Sequence, residues 1–230
     1  MNTTSWILPI LTLLMKVRNP GVRVRPLQPI HKPEALELLS QEFCTREPLC
    51  RTLGLALGDI RPFFSQLLDQ VIDQGLGVVA VGRQGQVLGV LTNEDHFDRM
   101  EPIGVLAEGL NTIGAYLDSI SLPDAWVPSA RGQTFHSGLA AVHAQEGNAA
   151  ILMMMMLSAT KTLKARGYTK GYAKVTNEAV VRRFQKLERL ARRAVFRCLK
   201  QVKPSDFEWQ GAKPFQSLKG SSYLYAWELP

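Results

Sequence analysis

A run of small residues, at the junction between a predicted strand and a predicted helix, is the part of the sequence best suited to bind a ligand. The residues of this junction are Ala144, Gly147, Asn148, Ala149 and Ala150. Small side chains let a ligand approach the backbone, and the N–H groups that begin a helix carry partial positive charge. The junction therefore predicts a cradle for a phosphate or pyrophosphate, or else a tight connection that binds nothing.

A glutamate and two histidines are the other residues that could take part in a reaction. Glu47 precedes Pro48 and is either a surface carboxylate or a base. His136 and His143 flank a predicted strand at an odd separation, which directs their side chains to opposite faces. They cannot share a metal ion in that arrangement, so we predict no metal site and regard either histidine as an aid to proton transfer.

The composition restricts the class of protein. The chain has 230 residues, 46% hydrophobic and 20% charged, which is typical of a globular domain and excludes a disordered or collagen-like chain. A net charge of +7 favours an anionic partner such as a nucleotide cofactor, a nucleic acid or a membrane surface. The three cysteines form no CxxC pair, which suits a reducing compartment, and we expect a cytoplasmic protein.

The N-terminus contains an apolar run over residues 5–15. It is about half the ~20 residues that a membrane helix needs, so we expect no membrane span. Residues 1–19 are predicted to be an extension that packs on the domain, unless translation begins at Met15.

Hydrophobic periodicity predicts the elements that position these residues. A strand over 22–26 is followed by helices beginning at Pro33 and near Pro62, a hairpin over 77–91 and a helix within 101–122. The remaining prediction is a strand over 134–142, a helix over 151–165, a strand over 168–175, a helix over 178–191, and strands over 195–202 and 222–229. The order indicates one α/β domain over residues 20–230.

The helix over 178–191 carries basic residues at near i, i+4, i+7 and i+11 spacing. They are Arg182, Lys186, Arg189 and Arg193. Such a stripe is either a solvated face or a surface that attracts the phosphates of a cofactor or of RNA.

Several motifs in order resemble one family. Residues 144–149 (AQEGNA) are similar to a cofactor loop of the form Gln/Arg-x-x-Gly-x-Gly/Ala, and 157–175 to the helix and strand that follow it. Thr176-Asn177 is similar to the end of that strand, Glu47-Pro48-Leu49 to a segment near the amino end, and 206–215 to a C-terminal hairpin. On these motifs the chain resembles the GNAT superfamily of acyl-CoA-dependent N-acetyltransferases over roughly 22–229, with some resemblance to arylalkylamine N-acetyltransferases.

The resemblance implies a fold, a reaction and a set of site residues. The fold is a single GNAT-like α/β domain with a mixed, mostly antiparallel sheet and helices on both faces. The reaction is direct transfer of acetyl from acetyl-CoA to a primary amine in a ternary complex, with Glu47 as the base and His136 assisting. The implied cofactor-binding residues are Leu139, Ala140, Ala141, Val142, Gln145, Glu146, Gly147, Asn148, Ala149, Ala150, Asn177 and Phe184.

The sequence departs from the family pattern at three places, one of which is a missing Gly-Phe pair where this chain has Glu188-Arg189. Ala144 replaces the first Gln or Arg of the loop, and Phe184 replaces a tyrosine that many members use to protonate the departing thiolate. An acyl-CoA-binding or regulatory protein with weak catalysis is therefore one alternative, and a basic RNA-binding module is another.

The acceptor stays open among arylalkylamines, polyamines, amino acids and protein N-termini. Glu94, Asp95 and Asp98 are candidates to line a cationic acceptor site. We expect a monomer or homodimer.

Overall fold

A computed structural model describes residues 21–100, 106–143, 148–190 and 196–229. The strands are β1 (Arg23–Pro26), β2 (Val78–Val81), β3 (Val87–Asp95), β4 (Thr134–Val142), β5 (Lys170–Val175), β6 (Phe196–Val202) and β7 (Ser222–Glu228). The helices are α1 (Lys32–Arg46), α2 (Pro48–Thr52), α3 (Leu57–Gln74), α4 (Glu108–Ser119), α5 (Asn148–Ala165) and α6 (Glu178–Leu190). None of the helices within these ranges combines the length and the apolar character that crossing a membrane requires. The predicted extension, 1–19, lies outside the described residues.

The seven strands form one sheet in the order β1-β2-β3-β4-β5-β7-β6. Neighbouring strands are antiparallel except β4 and β5, which are parallel and are joined by α5. Parallel neighbours need a crossover connection, and the long helix supplies it. The predicted fold class, a mixed and mostly antiparallel sheet within one α/β domain, is confirmed.

Helices cover both faces of the sheet because the strand residues alternate between two apolar cores. In β2, Val78 and Ala80 pack in the core that contains α5 and α6, whereas Val79 and Val81 pack against α1 and α3. In β5, Tyr172 packs with α2 and α4. Helices α1 to α4 therefore lie on one face, which we call the α4 face, and α5 and α6 lie on the other.

Two elements differ from the sequence prediction. The short helix α2 was not predicted, and β3 extends four residues past the predicted hairpin to Asp95. Residues 92–95 are polar, so their pattern indicates a loop, yet all four are buried. Each finds a polar partner; for example, the Asn93 amide donates to the Leu76 carbonyl at 3.0 Å. Satisfied hydrogen bonds allow polar side chains inside a sheet.

Helix α3 begins five residues before Pro62, the proline around which it was predicted. The Asp59 carboxylate accepts a hydrogen bond from the Ala56 N–H at 2.8 Å and so caps the first turn. The helix ends at Gln74 and is capped by Gly75, whose φ of 63° is the left-handed conformation that favours glycine.

Candidate functional site

The parallel strands β4 and β5 diverge in the middle of the sheet. They pair only from Thr134 with Lys170 to His136 with Tyr172. Beyond that point β4 continues to Val142 and β5 to Val175, each paired only with its outer neighbour among the described residues. The divergence opens a gap whose two edges are strand backbone.

A β-bulge in β4 accompanies the divergence. Leu91 of β3 pairs with Ala140, and Asn93 pairs with Ser137. Between these two pairs β3 has one residue and β4 has two, so β4 contains one extra residue. The buried Thr92 hydroxyl holds the bulge by accepting a hydrogen bond from the Leu139 N–H at 2.7 Å. A bulge bends its strand, so this contact helps to turn β4 away from β5.

The direction of each backbone group in β4 follows from its hydrogen bonds. The His143 N–H donates to the Leu88 carbonyl of β3 at 3.0 Å, and the Leu139 N–H also points to β3. Because alternate residues of a strand point their N–H groups to opposite sides, those of Ala140 and Val142 point into the gap. Of the four β4 residues predicted to bind the cofactor, Ala140 and Val142 therefore offer their N–H groups to the gap. Leu139 and Ala141 direct theirs to β3 and so do not.

Most of the predicted cofactor turn is outside the described part of the chain: Gln145, Glu146 and Gly147 belong to residues 144–147. Asn148 begins α5, and Ala149 and Ala150 follow in its first turn, both half-buried.

The other two predicted cofactor residues have structural partners. The Asn177 side-chain oxygen accepts a hydrogen bond from the Ala179 N–H at 2.9 Å and so caps α6. Phe184 is buried among Phe196, Tyr225 and Trp227, with ring centroids 5.1 to 6.4 Å away. This packing accounts for an aromatic residue at position 184 without a ligand.

Glu47 lies on the α4 face, near the end of β5. It is the N-cap of α2, and its Oε2 accepts a hydrogen bond from the Cys50 N–H at 2.7 Å. Its Oε1 accepts a second bond from the Thr176 hydroxyl at 2.8 Å. Residues 129 positions apart in the chain thereby meet, and the carboxylate is fixed in orientation.

Desolvation raises the pKa of Glu47, although the hydrogen bonds from Cys50 and Thr176 act in the opposite direction. A carboxyl group with a raised pKa is a stronger base than an exposed one. Glu47 therefore suits the removal of a proton from a bound group.

His136 lies at the point where β4 and β5 separate, on the same face. Its ring packs on Tyr172 with centroids 4.9 Å apart, and its Nδ1 is 3.6 Å from Glu94 Oε2. That Nδ1 is buried and lacks a hydrogen-bond partner within the described ranges. Burial lowers the pKa of His136 despite the neighbouring carboxylate, so the ring is neutral at pH 7.

The structure separates the three carboxylates considered for a cationic acceptor site. Glu94 and Asp95 are consecutive in β3 and so point to opposite faces. Asp95 Oδ2 accepts from the Gly132 N–H at 2.7 Å and from the Tyr168 hydroxyl at 3.1 Å, which is a structural role. Asp98 forms a surface ion pair with Arg131 at 2.6 Å. Of the three, Glu94 alone faces the site.

A recess of about 310 Å³ opens beside Glu47. Its walls include Pro48, Leu49, Thr176, Asn177, Arg182 and Lys219. Of the basic stripe on α6, Arg182 lies in this wall. Lys186 and Arg189 are exposed, and Arg193 lies outside the described residues. In the described ranges, no group of three or more His, Cys, Asp or Glu side chains is placed to hold a metal ion.

Sequence reasoning missed two polar residues of this face: Thr176, as the partner of Glu47, and Lys174, two positions earlier in the chain. The alternation along β5 could have placed Lys174 on this face, whereas a single sequence carries no signal that pairs Thr176 with Glu47. Tyr172 and Lys174 alternate with the core residues Ala173 and Val175, so they share a face, and a lysine in a central strand is unusual.

No protein-family model and no curated protein matches the sequence, but solved structures match the fold. The C-terminal condensation domain of Ebony, in complex with beta-alanyl-dopamine, has a TM-score of 0.78 at 16% identity, covering 90% of this chain and 98% of that one. Arylalkylamine N-acetyltransferase 2 from Aedes aegypti has a TM-score of 0.74 at 14% identity, covering 91% and 99%. The Drosophila melanogaster polyamine N-acetyltransferase, described as forming N-acetylagmatine, has a TM-score of 0.63 at 14% identity, covering 90% and 100%.

The chain has the GNAT fold. The fold resemblance predicted from the motifs is confirmed, and it extends over nine-tenths of the chain. In this GNAT fold the backbone of Ala140 and Val142 borders the gap between β4 and β5. Glu47 and His136 both lie on the α4 face of the sheet.

Proposed function

We propose that the chain is an N-acetyltransferase that moves an acetyl group from acetyl-CoA to a primary amine by direct transfer in a ternary complex, with residues 20–230 as the catalytic domain. The observation that carries this proposal is the desolvated carboxylate of Glu47, fixed at the end of β5 beside the open gap. Neighbours in fold named as arylalkylamine and polyamine N-acetyltransferases support it.

The residues of the gap fit acetyl-CoA. The pantetheine arm contains amide groups, and the backbone of Ala140 and Val142 offers strand-like partners for them. The predicted turn over Gln145, Glu146 and Gly147, with Asn148 at the start of α5, would hold the pyrophosphate. Acetyl-CoA would supply the acetyl group as an activated thioester.

Glu47 would accept the proton of the substrate ammonium, which frees the amine lone pair for attack. Its raised pKa suits it to this proton transfer, and the Thr176 and Cys50 hydrogen bonds hold the carboxylate in place. Burial favours the neutral ring of His136, which lies where β4 and β5 separate, so it would assist the proton transfer. The gap-facing N–H of Ala140 would donate to the developing oxyanion, which leaves that of Val142 for the pantetheine arm.

The site would operate in the cytoplasm. Cys44, Cys50 and Cys198 are free thiols in the structure, which supports a reducing compartment.

Thiol release from acetyl-CoA, measured over a panel of primary amines, tests the proposal. We expect turnover with at least one amine, and a loss of about 10²–10⁴ in kcat/KM in Glu47→Gln at an unchanged affinity for acetyl-CoA. The matched control is Glu37→Gln, because Glu37 is 43% exposed and ion-paired to Arg61 away from the site.

Three results would contradict parts of the proposal. Acetyl-CoA binding without turnover of any amine would identify an acyl-CoA-binding protein with weak catalysis. Full activity in Glu47→Gln would remove Glu47 as the base. A loss of equal size in Glu37→Gln would show that the effect is not specific to the site.

A further inference from the structure

Lys174 is a buried cation that the proposed reaction does not use. It lies on β5 two residues beyond Tyr172, the last residue that pairs with β4, so it borders the gap. Its side chain is only 8% exposed. Because Tyr172, Lys174 and Thr176 alternate along the strand, Lys174 shares the α4 face with the residue that holds Glu47.

The charge of Lys174 is poorly compensated. Within the described ranges its ion-pair partner is Asp118 of α4, at 3.7 Å, and that carboxylate is 68% exposed. The same carboxylate oxygen lies 3.5 Å from Arg99, so two cations share one surface anion. Lys200 adds a further positive charge nearby.

The other two acids on this face have roles of their own, Glu47 as the proposed base and Glu94 as a partner of neighbouring groups. Glu94 Oε1 accepts a hydrogen bond from the Met100 N–H at 3.0 Å, and Oε2 faces His136. Burial, with a further contribution from Arg99, lowers the pKa of Lys174 to about 8. Charge buried without a full partner destabilises a folded protein, so its presence in an open gap favours a ligand that supplies the missing anion.

We propose that Lys174, with Arg99, forms a subsite for a carboxylate on the acceptor, so that the preferred acceptors are primary amines that also carry a carboxylate. This inference rests on the proposed function. Successive residues of a strand advance about 3.3 Å, which places Lys174 and Thr176 about 7 Å apart. This spacing is that of the strand backbone, and Thr176 holds Glu47, so an amino acid with its amine at Glu47 would direct its carboxylate along β5 towards Lys174.

The charges also predict which acceptors are disfavoured. A diamine would direct its second ammonium group towards Lys174 and Arg99, and like charges repel in a desolvated site. A simple alkylamine would leave Lys174 without its anion. The subsite thus selects amino acids from the acceptor classes left open by the sequence.

Three acceptors of equal chain length test the subsite: 4-aminobutanoate, butylamine and 1,4-diaminobutane. At pH 7 we expect kcat/KM to be at least about tenfold higher for 4-aminobutanoate than for butylamine, the size of one charged hydrogen bond. Lys174→Met should abolish this preference, mainly through KM, and leave butylamine turnover at or above its original value. Lys170→Met is the matched control, because Lys170 lies on the same strand and packs on Trp126 at 5.3 Å.

Four outcomes would overturn the assignment. The first is that the wild type uses butylamine or 1,4-diaminobutane as well as 4-aminobutanoate, or better. The second and third are that the preference for 4-aminobutanoate survives in Lys174→Met, or is lost to the same extent in Lys170→Met. The fourth is that the wild type, with butylamine as acceptor, prefers succinyl-CoA to acetyl-CoA. The last would place the carboxylate on the acyl group instead of the acceptor.

Failure of the proposed function gives a different result. If no amine is acetylated, calorimetry with 4-aminobutanoate still tests the subsite. Binding that disappears in Lys174→Met would retain the subsite and reject the reaction, whereas no binding would reject both. Turnover of amines without an effect of Lys174 would reject the subsite alone.

Discussion

At the scale of single residues, Glu47 is subject to opposing influences. Burial favours the protonated carboxyl group, whereas the Thr176 hydroxyl and the Cys50 N–H favour the carboxylate. A base must be deprotonated when the substrate binds and must then become protonated. Donors that hold the carboxylate without neutralising it meet both needs, so Thr176 is a positioning residue for Glu47.

Removal of the Thr176 hydroxyl should shift the pH dependence of the reaction. In Thr176→Val the carboxylate loses a donor, so the pKa of Glu47 rises further above its ordinary value. Glu47 then becomes deprotonated at a higher pH, and we expect the acidic limb of the kcat/KM profile to move to higher pH. The measurement is a pH–rate profile with one amine.

Thr160→Val is the control for this profile, because the Thr160 hydroxyl donates to the Met156 carbonyl in α5 at 2.8 Å. It should leave the acidic limb in place. An unshifted limb in Thr176→Val would show that the hydroxyl does not influence the base, even if the rate falls.

At the scale of elements, the gap depends on β4 having one residue more than β3. The extra residue interrupts the ladder, and the Thr92 hydroxyl satisfies the Leu139 N–H that the interruption would leave without a partner. The strand therefore bends while its buried backbone groups remain hydrogen-bonded.

Loss of the Thr92 hydroxyl should destabilise the protein and distort the gap together. Thr92→Val leaves the Leu139 N–H unsatisfied, which costs about 1–3 kcal/mol in the free energy of unfolding. We also expect weaker acetyl-CoA binding, since the backbone of Ala140 follows the bulge. Urea denaturation and calorimetry measure the two effects.

Thr134→Val is a matched control on β4. Thr134 is 2% exposed, and its hydroxyl has no hydrogen-bond partner in the described part of the chain. Replacing it by a methyl group should leave stability unchanged or increase it. A destabilisation of the same size in both variants would refute a special role for Thr92.

The elements also show what the sequence could predict. Strand β4 was predicted with the observed bounds, Thr134–Val142, because its residues follow a loop rich in proline and glycine and precede the small-residue turn. Helix α2 is five residues long and starts with a proline, so it has no periodicity to detect, although it positions Glu47. The bonds from Thr176 and from Thr92 join distant segments, and a single sequence carries no signal for such pairs.

At the scale of the whole molecule, the sheet consists of two parts, β1–β4 and β5–β7. These parts are joined in the sheet by three residue pairs between β4 and β5. The core under α5 and α6 contains residues of both parts, including Leu91 of β3 and Tyr225 of β7. A ligand in the gap contacts both parts, so binding should stabilise the fold as a unit.

Acetyl-CoA should therefore raise the melting temperature of the whole chain. A ligand that binds only the folded state at 100 times its Kd adds about 2.7 kcal/mol to the free energy of unfolding. Hydrogen exchange should slow at Ala140 and Val142, whose N–H groups face the gap. Gly147→Glu, which adds a side chain and a negative charge to the predicted pyrophosphate turn, should abolish both effects while folding normally without ligand.

An RNA oligonucleotide provides the opposing comparison, because the net charge of +7 attracts any polyanion. Stabilisation by RNA that falls with salt, with none from acetyl-CoA, would favour a basic RNA-binding module over the transferase.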